Sequence, residues 1–569
     1  MRILLVASAF NSLTQRVHGE LRELRHTVEV HLAGEDEALR EALRRFAPDL
    51  VVAPMLRTAL PQDVWSSVTC LIVHPGPPGD RGPSSLDWAV HEGATEWGVT
   101  VLQADAVMDG GPVWASAHCP LPPVAKSDLY RGEVSDAAVE AVLRAVERFA
   151  SGTYTPRRQG GPDWRAVGRT RPYLRQEVRR IDWERDGTDA VVRVLRAADS
   201  RPGVLDELLG AEWYLHGGHP ERRLRGRPGE LVATRAGAVC RATADGAVWI
   251  PELRRRRSPG GPATFKLPAV TALGGVLPPL PEVPAPLMAA PLMAASKVAA
   301  EEDPDWSDIR YVEDGQVGLV RFAFPGGAMS TEHCRRLLAA YRFALTRPTS
   351  VLVLGGGRDF FSNGIHLNVI EGAADPAAES WANINAIDDL VEAVLTTTDR
   401  LVVAAVGGNA AAGGAMLALA ADEVWCRQGS VLNPHYRLMG LYGSEYWTYT
   451  LPRRVGAATA LRLTGQALPV GAPAALRLGL VDRVLPCAPE EFGPQTARLA
   501  RLSAASPTVH GRIAAKKAAR EADERVRPLA SYRAEELAVM RRQFFDPDAP
   551  YHALRAAFVR KLPAPAATD

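Results

Sequence analysis

The chain has 569 residues, 47% of them apolar and 23% charged. At about 150 residues per domain, this length implies roughly three to four domains; it excludes a stapled mini-protein, and the composition excludes wholesale disorder. Lys and Arg number 66 and Asp and Glu 65, so the net charge of +1 supplies no global field toward nucleic acid or a membrane surface.

The six cysteines, Cys70, Cys119, Cys240, Cys334, Cys426 and Cys487, form no CxxC pair. Neither a metal site nor a disulfide framework is expected, and reduced thiols in a cytoplasmic protein are the simpler reading. The opening, MRILLVASAF, lacks a signal-peptide layout and reads as a first buried strand. Short β-rich runs lie at 2–7, 27–32, 50–53, 70–73 and 99–103, with helical spacing between them, as at 35–45. This alternation predicts a mainly parallel sheet with helices on its faces, its ligands lying beyond the carboxyl ends of the strands. The loops after Ala7, Val73 and Gln103 are then the places for a site. After about Ile181 a helix at 188–199 precedes short runs at 212–215, 230–233, 238–242 and 247–252. Turn signals such as Asp245-Gly246 separate them, which predicts a small antiparallel barrel.

Residues 274–300 are rich in Pro and Ala, repeat APLMA, and read as a semi-extended, poorly packed linker. Strands return at 309–312 and 317–322, flanking the hairpin signal Glu313-Asp314-Gly315. The runs at 350–354 and 401–406 are buried strands, each leading into a glycine-rich turn. The stretch 401–421 is long enough to span a bilayer. Its two Gly-Gly pairs, Asn409 and missing aromatic belt instead favour a strand, a turn and a buried helix. The tail at 488–563 is Ala/Arg/Glu-rich and mostly helical. The fold class expected is a multidomain α/β chain.

Two loops carry candidate chemistry in the first part. VHPGPPGDRGP (73–83) follows one buried strand and DAVMDGG (105–111) another, and both are expected at one sheet edge. There His74 and Asp109 suit proton transfer, the carboxylate fixing the imidazole tautomer or stabilising its charge. The same residues also fit a turn-capping Asp beside a loop histidine. HPGPPGDRGPSSLDWAVHEG with WGVTVLQADAVMDGG resembles the N10-formyltetrahydrofolate formyltransferase family. The resemblance implies a Rossmann-like folate-binding domain at 1–165 and a formyltransferase C-terminal-like barrel at 166–273. It places His74 and Asp109 on the catalytic pair and Gly79, Arg81 and Gly82 in the folate loop. The family's Asn falls on Ile72 here, so that side-chain donor to the formyl oxyanion is missing. Gln15, in the loop after the first strand, Arg131 and Ser200 are candidates to complete cofactor binding.

A second constellation lies later. FFSNGIHLN (360–368) and AAVGGNAAAGGAMLALAADEVWC (404–426) place turns with exposed N–H groups at Gly364-Ile365 and Gly413-Gly414. Two such donors can polarise a thioester carbonyl; close strand–helix packing also needs glycine there. With LPRRVGAATALRLTGQAL and AALRLGLVDRVLP, these strings resemble the crotonase (enoyl-CoA hydratase/isomerase) superfamily from about 309 to 486. The resemblance implies a linker at 274–305, a crotonase-type spiral ββα domain at 306–487, a C-terminal helical region at 488–569 and a coenzyme A thioester as ligand. Ile365 and Gly413 become the oxyanion donors. One hydratase acid falls on Met416, and the other on His435 or Tyr436, so enoyl hydration is not expected. Tyr436 and Glu445 stand nearby as hydroxyl donor and base, unless this aromatic stretch is core packing. Arg541, Arg542, Lys516 and Lys517 read as a solvated face, from which Arg542 could meet a nucleotide phosphate.

A formyl-folate site joined to a thioester site suggests one-carbon traffic from folate to the CoA thiol. The domain order resembles the HypX (HoxX) family of hydrogenase maturation factors over nearly the whole chain. That resemblance implies a formyltransferase and CO-releasing lyase, using N10-formyltetrahydrofolate and coenzyme A and serving the iron of a [NiFe]-hydrogenase, with other maturation proteins as partners. The scheme expects docked halves sharing a channel. A formyl-CoA hydrolase, a formyltransferase of other metabolism and a non-catalytic assembly scaffold are the alternatives.

Overall fold

Alternation of apolar residues along the first strands decides which way each side chain packs. A computed structural model describes residues 1–160, 165–288 and 306–563. The chain forms two compact units, Met1–Arg180 with Arg193–Gly203, and Ile181–Val192 with Val204–Asp569.

In the first unit, β1 (Arg2–Ala7), β2 (Thr27–Leu32), β3 (Leu50–Ala53), β4 (Cys70–His74), β5 (Glu96–Gln103) and β6 (Val113–Pro120) form one sheet in the order β2-β1-β3-β4-β5-β6. Ile3, Leu5, Leu50, Val52, Leu71 and Val73 enter the core shared with the helices Ser12–Glu23 and Glu133–Ser151. Leu4, Val6, Val51 and Cys70 enter another core with Leu39, Phe46 and Val64. Period-two strands covered on both faces read as continuous apolar runs. The first four strands are parallel, but β4–β5 and β5–β6 pair antiparallel. The sheet is therefore less parallel than the alternation predicts: β5 opposes β4 even though the helix Ser85–His91 lies between them, and β6 turns straight back along β5.

The second unit begins with eight antiparallel strands. They are β7 (Val204–Leu208), β8 (Ala211–His216), β9 (His219–Glu221), β10 (Leu231–Arg235), β11 (Ala238–Ala242), β12 (Ala247–Ile250), β13 (Glu252–Arg255) and β14 (Leu267–Pro268). They form two four-stranded sheets, β10-β11-β12-β9 and β14-β13-β8-β7. The expected run 247–252 is split. Pro251, which has no N–H for a ladder, separates β12 in one sheet from β13 in the other. The described part of the expected linker, 274–288, is also more ordered than its composition implies. Thr234 donates its amide to Pro281 O at 3.0 Å and accepts the Val283 amide at 2.8 Å, and Tyr311 donates to Leu287 O at 2.6 Å. The second APLMA repeat, 290–294, lies outside the described residues.

The remainder builds two more sheets. The strands β15 (Ile309–Asp314), β16 (Val317–Phe322), β17 (Val351–Gly355), β19 (Leu401–Val406), β21 (Glu423–Arg427) and β24 (Arg483–Leu485) lie in that order, parallel after the first hairpin. The strands β18 (Phe360–Ser362), β20 (Asn409–Ala411), β22 (Val431–Asn433) and β23 (Val470–Gly471) form the second sheet. The stretch 401–421 is β19, β20 and the helix Gly413–Leu419, and among the described residues no helix is long and apolar enough to cross a membrane. Helices Pro489–Ala504, Val509–Val526, Leu529–Phe545 and Pro550–Arg560 complete the unit.

Trp249 is wholly buried, donates Nε1–H to Glu221 Oε2 at 2.9 Å and lies under the Arg235 guanidinium at 4.5 Å. Trp249→Ala should cost about 3–5 kcal/mol, because the cavity leaves Glu221 short of a donor. Urea unfolding of the variant, followed by circular dichroism, measures it.

Candidate active sites

His74 closes β4 and is buried. Its Nε2 lies 2.9 Å from Asp80 Oδ2, and its Nδ1 lies 3.6 Å from Asp109 Oδ1. The second oxygen of Asp80 pairs with Arg171 Nη1 at 2.8 Å. Arg171 in turn pairs with Glu92 at 2.8 Å and sits over the Trp97 ring. The imidazole is thus held between two carboxylates, one anchored by a guanidinium. The loop can come this close only without a side chain at Gly76, where a Cβ would lie 2.4 Å from Asp80 and 2.6 Å from His74 Nε2.

Asp109 accepts the Gly82 amide at 3.1 Å, which ties the candidate folate loop to the Asp109 loop. Gln159 donates to the carbonyls of Asp109 and Gly111 at 3.0 and 2.9 Å and takes a 3.4 Å bond from Arg81. Gly79 and Gly82 both have positive φ, and each lies against the segment Ala166–Arg171.

One expectation about these loops fails. Because β5 runs antiparallel to β4, Gln103 pairs with Leu71 and not with the His74 end. The two loops leave opposite edges, and the 104–112 loop brings Asp109 back to the imidazole. Sequence reasoning chose Asp109 as the partner of His74 and missed the nearer Asp80, six residues after the histidine within the quoted loop. Gln15 is not in a loop: it lies in the first turn of the helix Ser12–Glu23 and donates Nε2–H to Phe10 O at 2.9 Å. Arg131 ends the helix Lys126–Arg131, donating to Ser127 O at 3.3 Å. Ser200 is half-buried, two residues past the helix Thr188–Ala198.

The second constellation gathers around the turn before the helix Gly413–Leu419. Ala412 holds φ 46° and ψ −129°, a conformation costing roughly 1–3 kcal/mol outside glycine. Its amide donates to Asn433 O at 2.9 Å. This turn leaves the Gly413 amide as a first-turn N–H with no carbonyl one turn back. Gly364, with φ 77°, lies against it: a Cβ there would be 3.0 Å from Gly413 N. Ile365 follows Gly364, and Gly414 packs on Ser362 O.

The Glu445 carboxylate fills the space a side chain at Gly413 would need, a Cβ there falling 2.0 Å from Glu445 Oε1. Tyr436 donates its hydroxyl to Glu445 Oε2 at 2.8 Å, and the Ser444 amide donates to the same oxygen at 3.0 Å. Oε1 accepts no hydrogen bond among the described residues. Burial pushes Glu445 up to about 7, against the opposing pull of the Tyr436 hydrogen bond; the Glu536 charge adds to the rise. Burial, then the Glu445 charge, raises Tyr436 well above the usual phenol range.

Of the two registers open at the second hydratase position, Tyr436 is the residue paired with Glu445. His435 turns its Nδ1 to Asn433 O at 2.9 Å. Met416 is buried in the helix Gly413–Leu419. Arg542 is exposed on the helix Leu529–Phe545, while Arg541 lies over the Trp381 and Phe545 rings. Lys516 is not solvated: it pairs with Asp422 at 2.6 Å. Two further buried carboxylates, Asp388 and Glu536, adjoin Glu445 and were not foreseen. They lie about 57 residues before and 91 after it, beyond any local spacing rule. Among the described residues no group of three or more His, Cys, Asp or Glu could hold a metal ion.

The formyl transferase family matches residues 1–146, the formyl transferase C-terminal domain 173–262, and enoyl-CoA hydratase/isomerase 315–561. The hydrogenase maturation factor HoxX of Bradyrhizobium diazoefficiens is 48% identical over 567 residues, covering 99% of this chain and 95% of that protein. The chain belongs to the HoxX (HypX) family of hydrogenase maturation factors. A crystal structure of the family member HypX from Aquifex aeolicus, in complex with tetrahydrofolic acid, is 42% identical with a TM-score of 0.92, covering 99% of this chain and 96% of that one. Over the first part, the methionyl-tRNA formyltransferase of Roseiflexus castenholzii is 30% identical, spanning 37% of this chain and 67% of that enzyme. The HoxX family architecture is therefore a formyltransferase-like half followed by a crotonase-like half.

Two outcomes follow from this geometry. Asp80→Asn keeps the shape of the clamp but removes its charge, and should lower formyl transfer by about 100-fold with the fold intact, measured by tetrahydrofolate release. Glu445→Gln should gain stability over wild type as pH rises from 5 to 8. A buried carboxylate with a raised pKa stabilises the fold below its ordinary value near 4.5, and that contribution is lost as pH rises through about 7. Urea unfolding at several pH values reads the difference.

Proposed function

We propose that this protein makes CO from N10-formyltetrahydrofolate in two steps, for the carbonyl ligand of a [NiFe]-hydrogenase iron. The observation that carries the reading is the free oxygen of Glu445 set beside the Gly413 turn, in a chain that also has a formyltransferase-like half. Folate as first substrate is supported by the tetrahydrofolic acid bound to the Aquifex aeolicus relative.

In the first step the CoA sulfur attacks the formyl carbon. The C–S bond forms, the C–N10 bond breaks, and the thiol proton ends on N10. His74 moves that proton, with Asp80 fixing Nε2 and Asp109 facing Nδ1. Gly79, Arg81 and Gly82 hold the folate. The product is formyl-CoA, with tetrahydrofolate released.

In the second step the amides of Ile365 and Gly413 polarise the formyl oxygen, with Gly364 and Gly414 allowing the close approach. Glu445 Oε1 takes the formyl proton. The C–S electron pair leaves with sulfur, CO departs, and the proton passes to the thiolate, regenerating CoA. A carboxylate poised near 7 suits this task at neutral pH. Tyr436 holds Oε2 and so leaves Oε1 as the working oxygen. Gln15, Arg131 and Ser200 are assigned to the folate pocket, and Arg542 to a nucleotide phosphate of CoA. Arg542 is exposed with no side-chain partner among the described residues, as a phosphate ligand requires.

The test combines purified protein, isotopically labelled formyl-folate and CoA, with a haem protein to trap gas. Labelled CO is expected. Labelled formate without CO would show hydrolysis and overturn the decarbonylation step. Glu445→Gln should abolish CO release, by about 100-fold or more, while formyl-CoA still accumulates.

A further inference from the structure

The turn that carries Glu445 adopts a conformation its own sequence does not favour. Glu445 and Tyr446 both have φ 58°, the left-handed region disfavoured for any residue with a Cβ. Two such residues in succession persist only where the surroundings over-determine them.

Here the surroundings are side chains from two distant helices. Asp388, on the helix Pro376–Thr396, accepts the Glu445 amide at 2.8 Å and the Ser444 hydroxyl at 2.9 Å. Glu536, on the helix Leu529–Phe545, accepts the Tyr446 amide at 2.9 Å and the Thr448 amide at 2.8 Å. From the same helix, Met540 Sδ accepts the Gly443 amide at 3.3 Å and Gln543 accepts the Tyr442 amide at 2.9 Å. Residues 536, 540 and 543 share one helix face at i, i+4 and i+7. Five backbone amides between Tyr442 and Thr448 are therefore met by side chains of these two helices.

We propose that Asp388 and Glu536 are positioning residues of the second site, locking the left-handed turn so that Glu445 Oε1 stays beside Gly413. Resting on the reading of Glu445 as base, this extends the site to the helix Leu529–Phe545. Neither residue touches substrate. Each acts through the backbone of the residue that does. The arrangement also explains why both carboxylates are tolerated out of water: all four of their oxygens accept hydrogen bonds, and Asp388 has Arg533 within 3.8 Å.

The test compares Asp388→Ala, Asp388→Asn and Glu536→Ala for CO release from formyl-CoA, with tetrahydrofolate release as the control. Both alanine variants should lose about 100-fold in kcat with KM unchanged, since a misplaced base does not weaken thioester binding. Asp388→Asn should recover most of the activity, because its amide oxygen still accepts from Glu445 and its NH2 donates to Ser444. Alanine variants that keep wild-type kcat would overturn the proposal. So would an asparagine variant as damaged as alanine. A crystal structure of Asp388→Ala gives a readout free of turnover. It should show Glu445 out of the left-handed region and its bond to Tyr436 broken, and an unchanged turn would sink the idea. If wild type releases no CO, the decarbonylation reading fails while the crystallographic arm still decides the positioning role.

Discussion

A carboxylate withdrawn from water must be bound on its oxygens or surrender its charge, and both candidate sites are organised by that constraint. Asp80, Asp388 and Glu536 are almost wholly buried, and each has both oxygens occupied: by an imidazole and a guanidinium at Asp80, by an amide and a hydroxyl at Asp388, by amides at Glu536. Glu445 departs from the pattern. One oxygen is bound by Tyr436 and Ser444, and the other is left without a hydrogen-bond partner against a glycine. Burial raises Asp388 and Glu536 as well, so what sets Glu445 apart is its open oxygen beside Gly413.

The sequence made the strands of the first sheet and of the crotonase-like sheet legible because apolar runs bounded by glycine turns leave few alternatives. It did not show that β5 and β6 run antiparallel. A run such as 99–103 looks alike whichever direction it pairs, and the helix Ser85–His91 before it suggested a parallel crossover that the chain does not make. Pro251 was a readable signal within 247–252, since proline interrupts a ladder; the split into two sheets follows from it. The ordering of 281–283 along Thr234 was hidden by a composition that suggests only a spacer.

The sites were legible where chemistry sits next to a motif. His74 and Gly413 lie inside strings that resemble two families, Tyr436 and Glu445 were singled out as nearby polar candidates, and the structure brings that pair together. Asp388 and Glu536 were not legible, because a residue that acts through another's backbone carries no local mark. Asp80 was in view but passed over, since the resemblance directed attention to Asp109. A side chain's partner is chosen by where a loop returns, and loop length does not encode that.

The dependence of the Glu445 turn on the helix Leu529–Phe545 has a consequence for synthesis. A nascent chain of 528 residues already contains every residue of the His74 clamp and Glu445 itself, yet lacks the acceptors for four of the five amides. The amino-terminal chemistry can mature while the carboxyl-terminal chemistry still waits for its last helices. An unfinished polypeptide thus holds the residue Glu445 without the side chains that fix its turn.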